Sequence, residues 1–212
     1  MTQAPIPQTT IQRLPVYLRC LLQAQSMHMP VINSIGIAEM AGSNAAQVRK
    51  DLSYLGEFGI RGIGYDVEDL IGHVSRWLGV SVSRHAAIIG VGRLGGALRS
   101  YGGFEDRGFR IVALFDTDPE KVRSDVGGLP VDPIEDLEEV IAQRGVEVVI
   151  LTTPPEAAQA LLGRLVSSGV KAILNFAPVR LDVPADVMVR QVDLAVELQV
   201  LSFHLANRDE ER

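Results

Sequence analysis

The run IIGVGRLG at 88–95 constrains this chain more than any other stretch, because Gly90, Gly92 and Gly95 stand between an apolar strand-like segment and a helical one. That G-x-G-x-x-G spacing, in that context, is the signature of a dinucleotide-binding turn. Gly90 allows the tight turn, Gly92 lets backbone approach a pyrophosphate, and Gly95 permits the helix to pack closely on the strand. Val91, Arg93 and Leu94 fill the loop, and free N–H groups at the helix start suit phosphates. Asp116 ends the next apolar run, about twenty residues on, where a carboxylate accepts hydrogen bonds from adenosine ribose hydroxyls. No arginine stands beside it, so a 2′-phosphate is expected to meet repulsion, and NAD or NADH is favoured over NADP or NADPH. Two other readings stay open on the glycines alone: a turn with no ligand, and a site for another phosphate-bearing molecule such as coenzyme A.

The surrounding pattern is α/β. Apolar runs at 86–91, 110–115, 147–153 and 170–176 alternate with helical stretches, which predicts a Rossmann-type doubly wound parallel sheet. The helix after the glycine loop is expected to carry Leu94, Ala97, Leu98 and Tyr101 on one face. Asp132 reads as the cap of a further helix with Pro133 at its first position. Another helix spans about 155–168. Thr152, Thr153 and Pro154, and likewise Asn175, Phe176, Ala177 and Pro178, fall at the carboxyl edge of the sheet, near the nicotinamide half of a bound dinucleotide. Each reads equally well as a ligand contact or as a structural turn. VMVRQV at 187–192 predicts a last strand, followed by an amphipathic helix over 193–207. Leu198, Leu201, Phe203 and Leu205 leave much of that helix apolar, so it is expected to pack on a partner subunit.

Ahead of 76–85 the periodicity is helical, and a chain of 212 residues has room for two modest cores. Ile11, Leu14, Leu18, Leu21 and Leu22 fall on one side of a helix that tolerates Pro15 only in its first turn. A second, short helix follows Asn33 or Ser34 and ends at Gly42. Ser43 then suits the cap of a third, which carries Val48, Leu52 and Leu55. Helix, glycine turn, helix is the helix-turn-helix arrangement. GEFGIRGIGY at 56–65 suits a tight hairpin, which makes the unit a winged helix. The first ten residues, rich in Thr, Gln and Pro, read as disordered. The resulting division is 1–80 for the winged helix, 81–192 for the Rossmann domain and 193–212 for the terminal helix.

Catalysis by a nicotinamide enzyme needs a proton donor or acceptor beside the hydride site. Past Gly95 the candidates are few: Lys121 at a helix start reads as solvated, His204 between Phe203 and Leu205 as a packing or surface histidine, and Lys171, Tyr101 and the acids remain. There is little room for a substrate domain. The site is built for binding rather than turnover, with no catalytic residue and no metal site expected. A lone cysteine, Cys20, and an N-terminus without a basic lead or long apolar run point to a soluble cytoplasmic protein. The formal net charge of −6 argues against nonspecific attraction to nucleic acid, but a net value can hide a basic face. Arg49, Lys50 and Arg61 stand near Asp51 and Glu57, a local surplus of about one positive charge.

QVRKDLSYLGEFGIRGIGY at 47–65, GVGRLG at 90–95, FDTDPEK at 115–121 and LNFAP at 174–178 together resemble the Rex family of redox-sensing transcriptional repressors, and the resemblance runs over roughly Thr10 to Asn207. It implies a homodimer with winged helices on operator DNA, Rossmann domains that bind NADH or NAD+, a terminal helix swapped between subunits, and release from DNA when NADH binds. Arg49 and Lys50, with Ser43, Gln47, Ser53 and Tyr54, would meet DNA, and Arg61, Gly62, Gly64 and Tyr65 would form the wing. The resemblance also implies that Arg19, Tyr101 and Asp193 rearrange with redox state, the tyrosine and the arginine competing for the aspartate. After that aspartate the family often has Phe, where this chain has Leu194.

NAD+ carries a cationic nicotinamide and NADH a neutral one, so a closed apolar pocket favours NADH. Phe104, Leu194 and the terminal helix are the candidates to supply it. Two symmetric modules predict a palindromic operator, and a glycine-rich wing bearing Arg61 suits a narrow minor groove and hence A·T-rich flanks. No membrane or metal partner is expected.

Overall fold

The computed structural model describes residues 6–60 and 62–207, and the chain divides into two compact units, Met1–Val82 and Ser83–Arg212. The first unit holds helices α1 (Gln8–Ser26), α2 (Ser34–Ala41), α3 (Ala45–Ser53) and α4 (Val67–Leu78). Strands β1 (Val31–Ile32) and β2 (Tyr65–Asp66) pair antiparallel beside them. Leu14, Tyr17 and Leu21 recur at helical spacing on α1 and bury against Ile37, Val48, Leu52, Leu70 and Val74.

Local chemistry sets the helix ends and corrects several sequence expectations. The Asn33 side chain accepts from the amides of Ile35 and Gly36 at 3.1 and 2.9 Å, and Gly42 closes α2 in the left-handed conformation. Ser43 does not cap α3. Its amide donates to the Ala38 carbonyl at 2.9 Å to finish α2, and Asn44 caps α3 by accepting from the Gln47 amide at 2.8 Å. Pro15 lies in the interior of α1 rather than in its first turn. Pro15 and Ile11 are both exposed, so the carbonyl that loses its donor lies on the solvent side of the helix, while buried Leu14, Tyr17 and Leu21 hold the helix through. Of the ten residues read as disordered, 1–5 lie outside the described residues, whereas 8–10 form the start of α1 and Thr10 is buried. The expected hairpin at 56–65 reduces to one antiparallel bridge, Ile60 to Gly64, and β2 pairs with β1 instead. Its four glycines offer no alternating apolar face to bury, so nothing extends the ladder.

The second unit is built on a seven-stranded sheet. In chain order the strands are β3 (Arg84–Ile89), β4 (Phe109–Asp116), β5 (Asp125–Val126), β6 (Leu129–Pro133), β7 (Val148–Leu151), β8 (Ala172–Asn175) and β9 (Met188–Gln191). Their spatial order is β5-β6-β4-β3-β7-β8-β9, parallel throughout except for the β5–β6 edge hairpin, which the sequence reading lacks. Helices α6 (Leu137–Arg144) and α7 (Pro155–Ser167) supply Leu137, Ile141, Leu162 and Leu165 to one face of the sheet. Leu98 of α5 (Arg93–Arg99) packs on the other face, which gives the doubly wound architecture. Asp132 belongs to β6 rather than to a helix cap, and its carboxylate pairs with Arg144 at 2.8 Å. Pro133 keeps an extended ψ of 146°, so α6 starts only after a 3-10 turn at Ile134–Asp136. Tyr101 lies beyond the end of α5, ahead of a second 3-10 turn at Gly102–Arg107.

The terminal helix α8 (Leu194–Ala206) buries none of its residues. Leu194, Leu198, Leu201, Phe203 and Leu205 are each about 60% exposed or more. It is apolar around its circumference rather than amphipathic, the pattern of a helix made to be covered.

Candidate dinucleotide site and nucleic-acid face

The glycine loop joins β3 to α5 as the motif requires. A Cβ on Gly95 would sit 2.1 Å from the Gly90 carbonyl oxygen, so helix and strand approach too closely there for any side chain. Gly90 has φ 94°, and a Cβ on it would meet the Thr152 carbonyl at 2.9 Å. Gly92 is the opposite case: nothing lies within 4 Å of its Cβ position, so that face of the loop is open. The Thr152 hydroxyl donates to the Gly90 carbonyl at 2.7 Å and so ties the first loop to the one after β7.

Asp116 ends β4 with only 8% of its surface exposed. Its Oδ2 accepts from the Val91 amide at 2.8 Å and from Lys121 Nζ at 3.2 Å, and its Oδ1 from the Asp118 amide at 2.9 Å. Burial pushes its pKa up, but the amides of Asp118 and Val91 together with Lys121 outweigh burial and hold it below the usual carboxylate range. Lys121 is 40% exposed, as expected of a solvated side chain, but it is not at a helix start. It sits in a turn, pairs with Asp116 and, at 3.5 Å, with Asp118.

These residues share one cavity of about 370 Å³, with Gly90, Gly92, Asp116, Lys121, Thr152 and Thr153 in its wall. Pro154, Ile134 and Ala157, Ala160 and Leu161 of α7 complete the apolar part. The Thr153 hydroxyl is buried without a hydrogen-bond partner among the described residues, a donor and acceptor that only a ligand or water can satisfy. An open backbone at Gly92, a carboxylate at the ribose distance along the chain and an unspent hydroxyl fit a dinucleotide. Ile134 and the three α7 residues were not in the sequence reading; they come from a crossover helix and a 3-10 turn with no motif of their own, whereas Thr153 was expected there.

The other expected contacts fall elsewhere. Tyr101 and Phe104 stack edge to face at 5.2 Å and line a second cavity of about 700 Å³ beneath the β5–β6 hairpin. Arg107 donates to the Tyr101 hydroxyl at 3.4 Å. Asn175 is fully buried and its amide is committed to its own loop and to β9: Nδ2 donates to the Val179 carbonyl and to Gln191 Oε1, both at 2.8 Å, and Oδ1 accepts from the Ala177 amide at 3.0 Å. Phe176 packs against the core on the α5 side of the sheet, Ala177 is buried, and Pro178 is exposed. Arg93 and Leu94 are exposed on the first turn of α5, whereas Val91 is buried. Asp193 caps α8, its Oδ1 accepting from the amides of Ala195 and Val196 at 2.9 and 3.4 Å. Arg19 is exposed on α1.

In the first unit, α3 turns Arg49, Lys50 and Ser53 outward and Val48, Asp51 and Leu52 inward. Asp51 is thus not a countercharge on the outer face. It is fully buried, its Oδ1 accepting from Thr10 at 2.8 Å, Arg13 at 2.8 Å and Gln47 at 2.9 Å, and its Oδ2 from Arg13 at 2.6 Å and Tyr17 at 2.8 Å. Burial raises its pKa, and the hydrogen bonds from Arg13, Thr10, Tyr17 and Gln47 more than reverse this, down to about 2. The Gln47 side chain is thereby tied to Asp51, one turn along its own helix. Arg49 donates to the Ser34 hydroxyl at 2.9 Å, beside a cavity of about 470 Å³ whose wall includes Gly62, Gly64 and Tyr65. Ser43 is exposed, Tyr54 is half-buried, and Arg61 lies outside the described residues.

The chain is 50% identical over 199 residues to the redox-sensing transcriptional repressor Rex of Streptomyces griseus subsp. griseus, a match that covers 94% of this chain and 79% of the relative. It is 47% identical over 208 residues to Rex of Desulfitobacterium hafniense, covering 98% and 99%. The chain belongs to the Rex family of redox-sensing transcriptional repressors. A solved Rex-family neighbour, RSP in complex with β-NAD+ and operator DNA, matches with a TM-score of 0.91 at 36% identity over 98% of this chain and 95% of that one. RSP in complex with β-NADH matches at 0.86 and 35%, over 97% and 96%. Family descriptions agree in part: "CoA binding domain" matches residues 83–179 and "Putative DNA-binding protein N-terminus" residues 5–53. The first is the coenzyme A reading that the glycines alone left open, whereas the Rex relatives match over nearly the whole chain and are named repressors, not enzymes. No helix among the described residues is long and apolar enough to cross a membrane, and none of their His, Cys, Asp and Glu clusters is arranged to hold a metal ion.

Proposed function

We propose that this Rex-family chain is a cytoplasmic homodimeric repressor that binds a palindromic, A·T-rich operator and leaves it when NADH occupies the glycine-loop cavity. One observation carries the reading: the glycine cradle with Asp116 and the outward Arg49–Lys50 face of a capped helix pair occur in one chain, in separate compact units. The unit of 1–80 reads the operator, 81–192 holds the dinucleotide, and 193–212 carries α8 across to the partner.

On the DNA side, Lys50 and Arg49 meet the major groove, with Ser43 ahead of α3 and Ser53 and Tyr54 at its far end. Arg61 with Gly62, Gly64 and Tyr65 enters the minor groove. Gln47 acts through Asp51, the carboxylate that joins α3 to Thr10, Arg13 and Tyr17 of α1. On the dinucleotide side, the N–H groups at Gly92 and Arg93 meet the pyrophosphate, Asp116 the adenosine ribose, and Thr152–Pro154 the nicotinamide half. When bound, NADH brings a neutral ring where NAD+ brings a cationic one, and apolar closure by Phe104, Leu194 and α8 of the partner favours the neutral form. Arg19 and Tyr101 exchange places at Asp193 between the two states.

A mobility-shift assay with an A·T-rich palindrome, repeated with NADH and with NAD+, tests this. Release by NADH but not by NAD+ is expected. By linkage, operator must weaken NADH binding by the same factor by which NADH weakens operator binding. NADH affinity that operator leaves unchanged overturns the switch, and steady hydride turnover on a small substrate would restore the enzyme reading.

A further inference from the structure

Lys121 occupies a place that ribose recognition by Asp116 does not require. An ionised carboxylate offers about four lone-pair sites. Three of those on Asp116 are taken by the amides of Val91 and Asp118 and by Lys121 Nζ. One remains, on Oδ1, so the carboxylate can receive one hydroxyl of a ribose diol while Lys121 stays in place. The ammonium has three N–H donors, and its partners are Asp116 at 3.2 Å and Asp118 at 3.5 Å. It lines the same cavity as Gly92 and Asp116. The other cation of that wall, Arg164, is committed to Glu138 through two bonds of 2.5 Å and to the Glu135 carbonyl at 3.2 Å. Lys121 is therefore the cation with capacity to spare where the adenosine ribose lies, and pairing with Asp116 pushes its pKa up, so it stays charged.

Resting on the dinucleotide reading of this cavity, we propose that Lys121 is a specificity-determining residue, held by Asp116 as a standby partner for a 2′-phosphate. The absence of an arginine beside Asp116 does not leave the carboxylate's repulsion unopposed. How strongly the groove rejects a 2′-phosphorylated dinucleotide is set by the balance of the pair: Asp116 repels, Lys121 attracts, and each restrains the other.

Isothermal titration of NADH and of NADPH into the full-length protein reads that balance. Lys121→Gln is expected to weaken NADPH at least about tenfold more than NADH, the scale of one charged hydrogen bond. Lys121→Arg keeps the cation and should leave the ratio within about threefold of the parent. Asp116→Asn releases the ammonium, so NADPH binding tightens while NADH binding weakens. The double variant Asp116→Asn, Lys121→Gln loses the NADPH gain, which keeps the test decisive if the parent rejects NADPH below detection. If Lys121→Gln leaves the ratio unchanged, or the double variant keeps the NADPH gain, the proposal falls while NADH binding to the parent sustains the reading of the cavity. If the parent binds neither dinucleotide, that reading fails and takes the proposal with it.

Discussion

Asp51→Asn perturbs the hub that joins α1 to α3, and its cost follows from the geometry. The carboxylate is fully buried and accepts from Thr10, Arg13, Tyr17 and Gln47. Removing one partner of a buried ion pair costs about 3–5 kcal/mol, because the survivor is left uncompensated. The Arg13 side chain is 32% exposed and can partly rehydrate, and Asn keeps one acceptor, so the lower end applies: about 3 kcal/mol. The carboxyl's drop from 3.8 to about 2 independently corresponds to roughly 2 kcal/mol of stability near neutral pH. Its folded pKa lies below the unfolded one, so this contribution is present above about pH 4 and fades as pH falls through about 2. The penalty of Asp51→Asn should thus shrink by about 1 kcal/mol between pH 7 and pH 3. Trp77, the only tryptophan of the chain, lies on α4 in the same compact unit, so urea unfolding followed by its emission reports on this hub. A penalty below about 1 kcal/mol at pH 7, or one that is the same at pH 3, refutes the assignment of a charged, clamped Asp51.

Two glycines of one motif should fail in different ways. Gly95→Ala places a methyl 2.1 Å from the Gly90 carbonyl and should destabilise the second unit by about 3 kcal/mol or more, visible in its thermal transition. Gly92→Ala meets nothing within 4 Å at a φ of −81°, so the thermal transition should hold while NADH affinity falls about tenfold or more; equal affinity would show that backbone at 92 does not approach the ligand. Leu198→Glu with Leu201→Glu should turn the proposed dimer into monomers in sedimentation equilibrium without loss of helix content, because both side chains are about 60% exposed or more. A stable dimer in that variant would remove α8 from the interface.

Features carried by local chemistry were legible in the chain alone. The glycine spacing, the strand and helix that flank it, Asp116 and the capped helix pair each follow from residues near one another in sequence, and each has the geometry that its motif implies. What escaped the reading depends on contacts across the fold. Asp51 looked like a surface acid because charged residues mostly are, and only the packing of α1 on α3 brings Thr10, Arg13 and Tyr17 to it. Gln47 and Asp51, four residues apart on one helix, were the local clue. Ser43 and Asp132 are good caps by residue type, but Ser43 finishes the preceding helix and Asp132 is drawn into a strand that pairs with β4. The pairing of Lys121 with Asp116 escaped because nothing in FDTDPEK says that the chain turns there to bring the two together.

The same bookkeeping of lone pairs shows which oxygen of Asp193 is open to the proposed switch. Oδ1 is spent on the amides of Ala195 and Val196, which hold the first turn of α8. Arg19 and Tyr101, the two groups proposed to exchange there, are left with Oδ2. Asp193→Asn should separate the two contacts: the amide oxygen keeps the cap, as Asn does well, while the NH2 group at the former Oδ2 repels a guanidinium and can still donate to the tyrosine oxygen. Such a variant should dimerise normally, bind operator at least about tenfold more weakly even without NADH, and respond little when NADH is added. Operator affinity and NADH response equal to those of the parent would show that the Asp193 charge takes no part, and the switch would have to be sought in other groups.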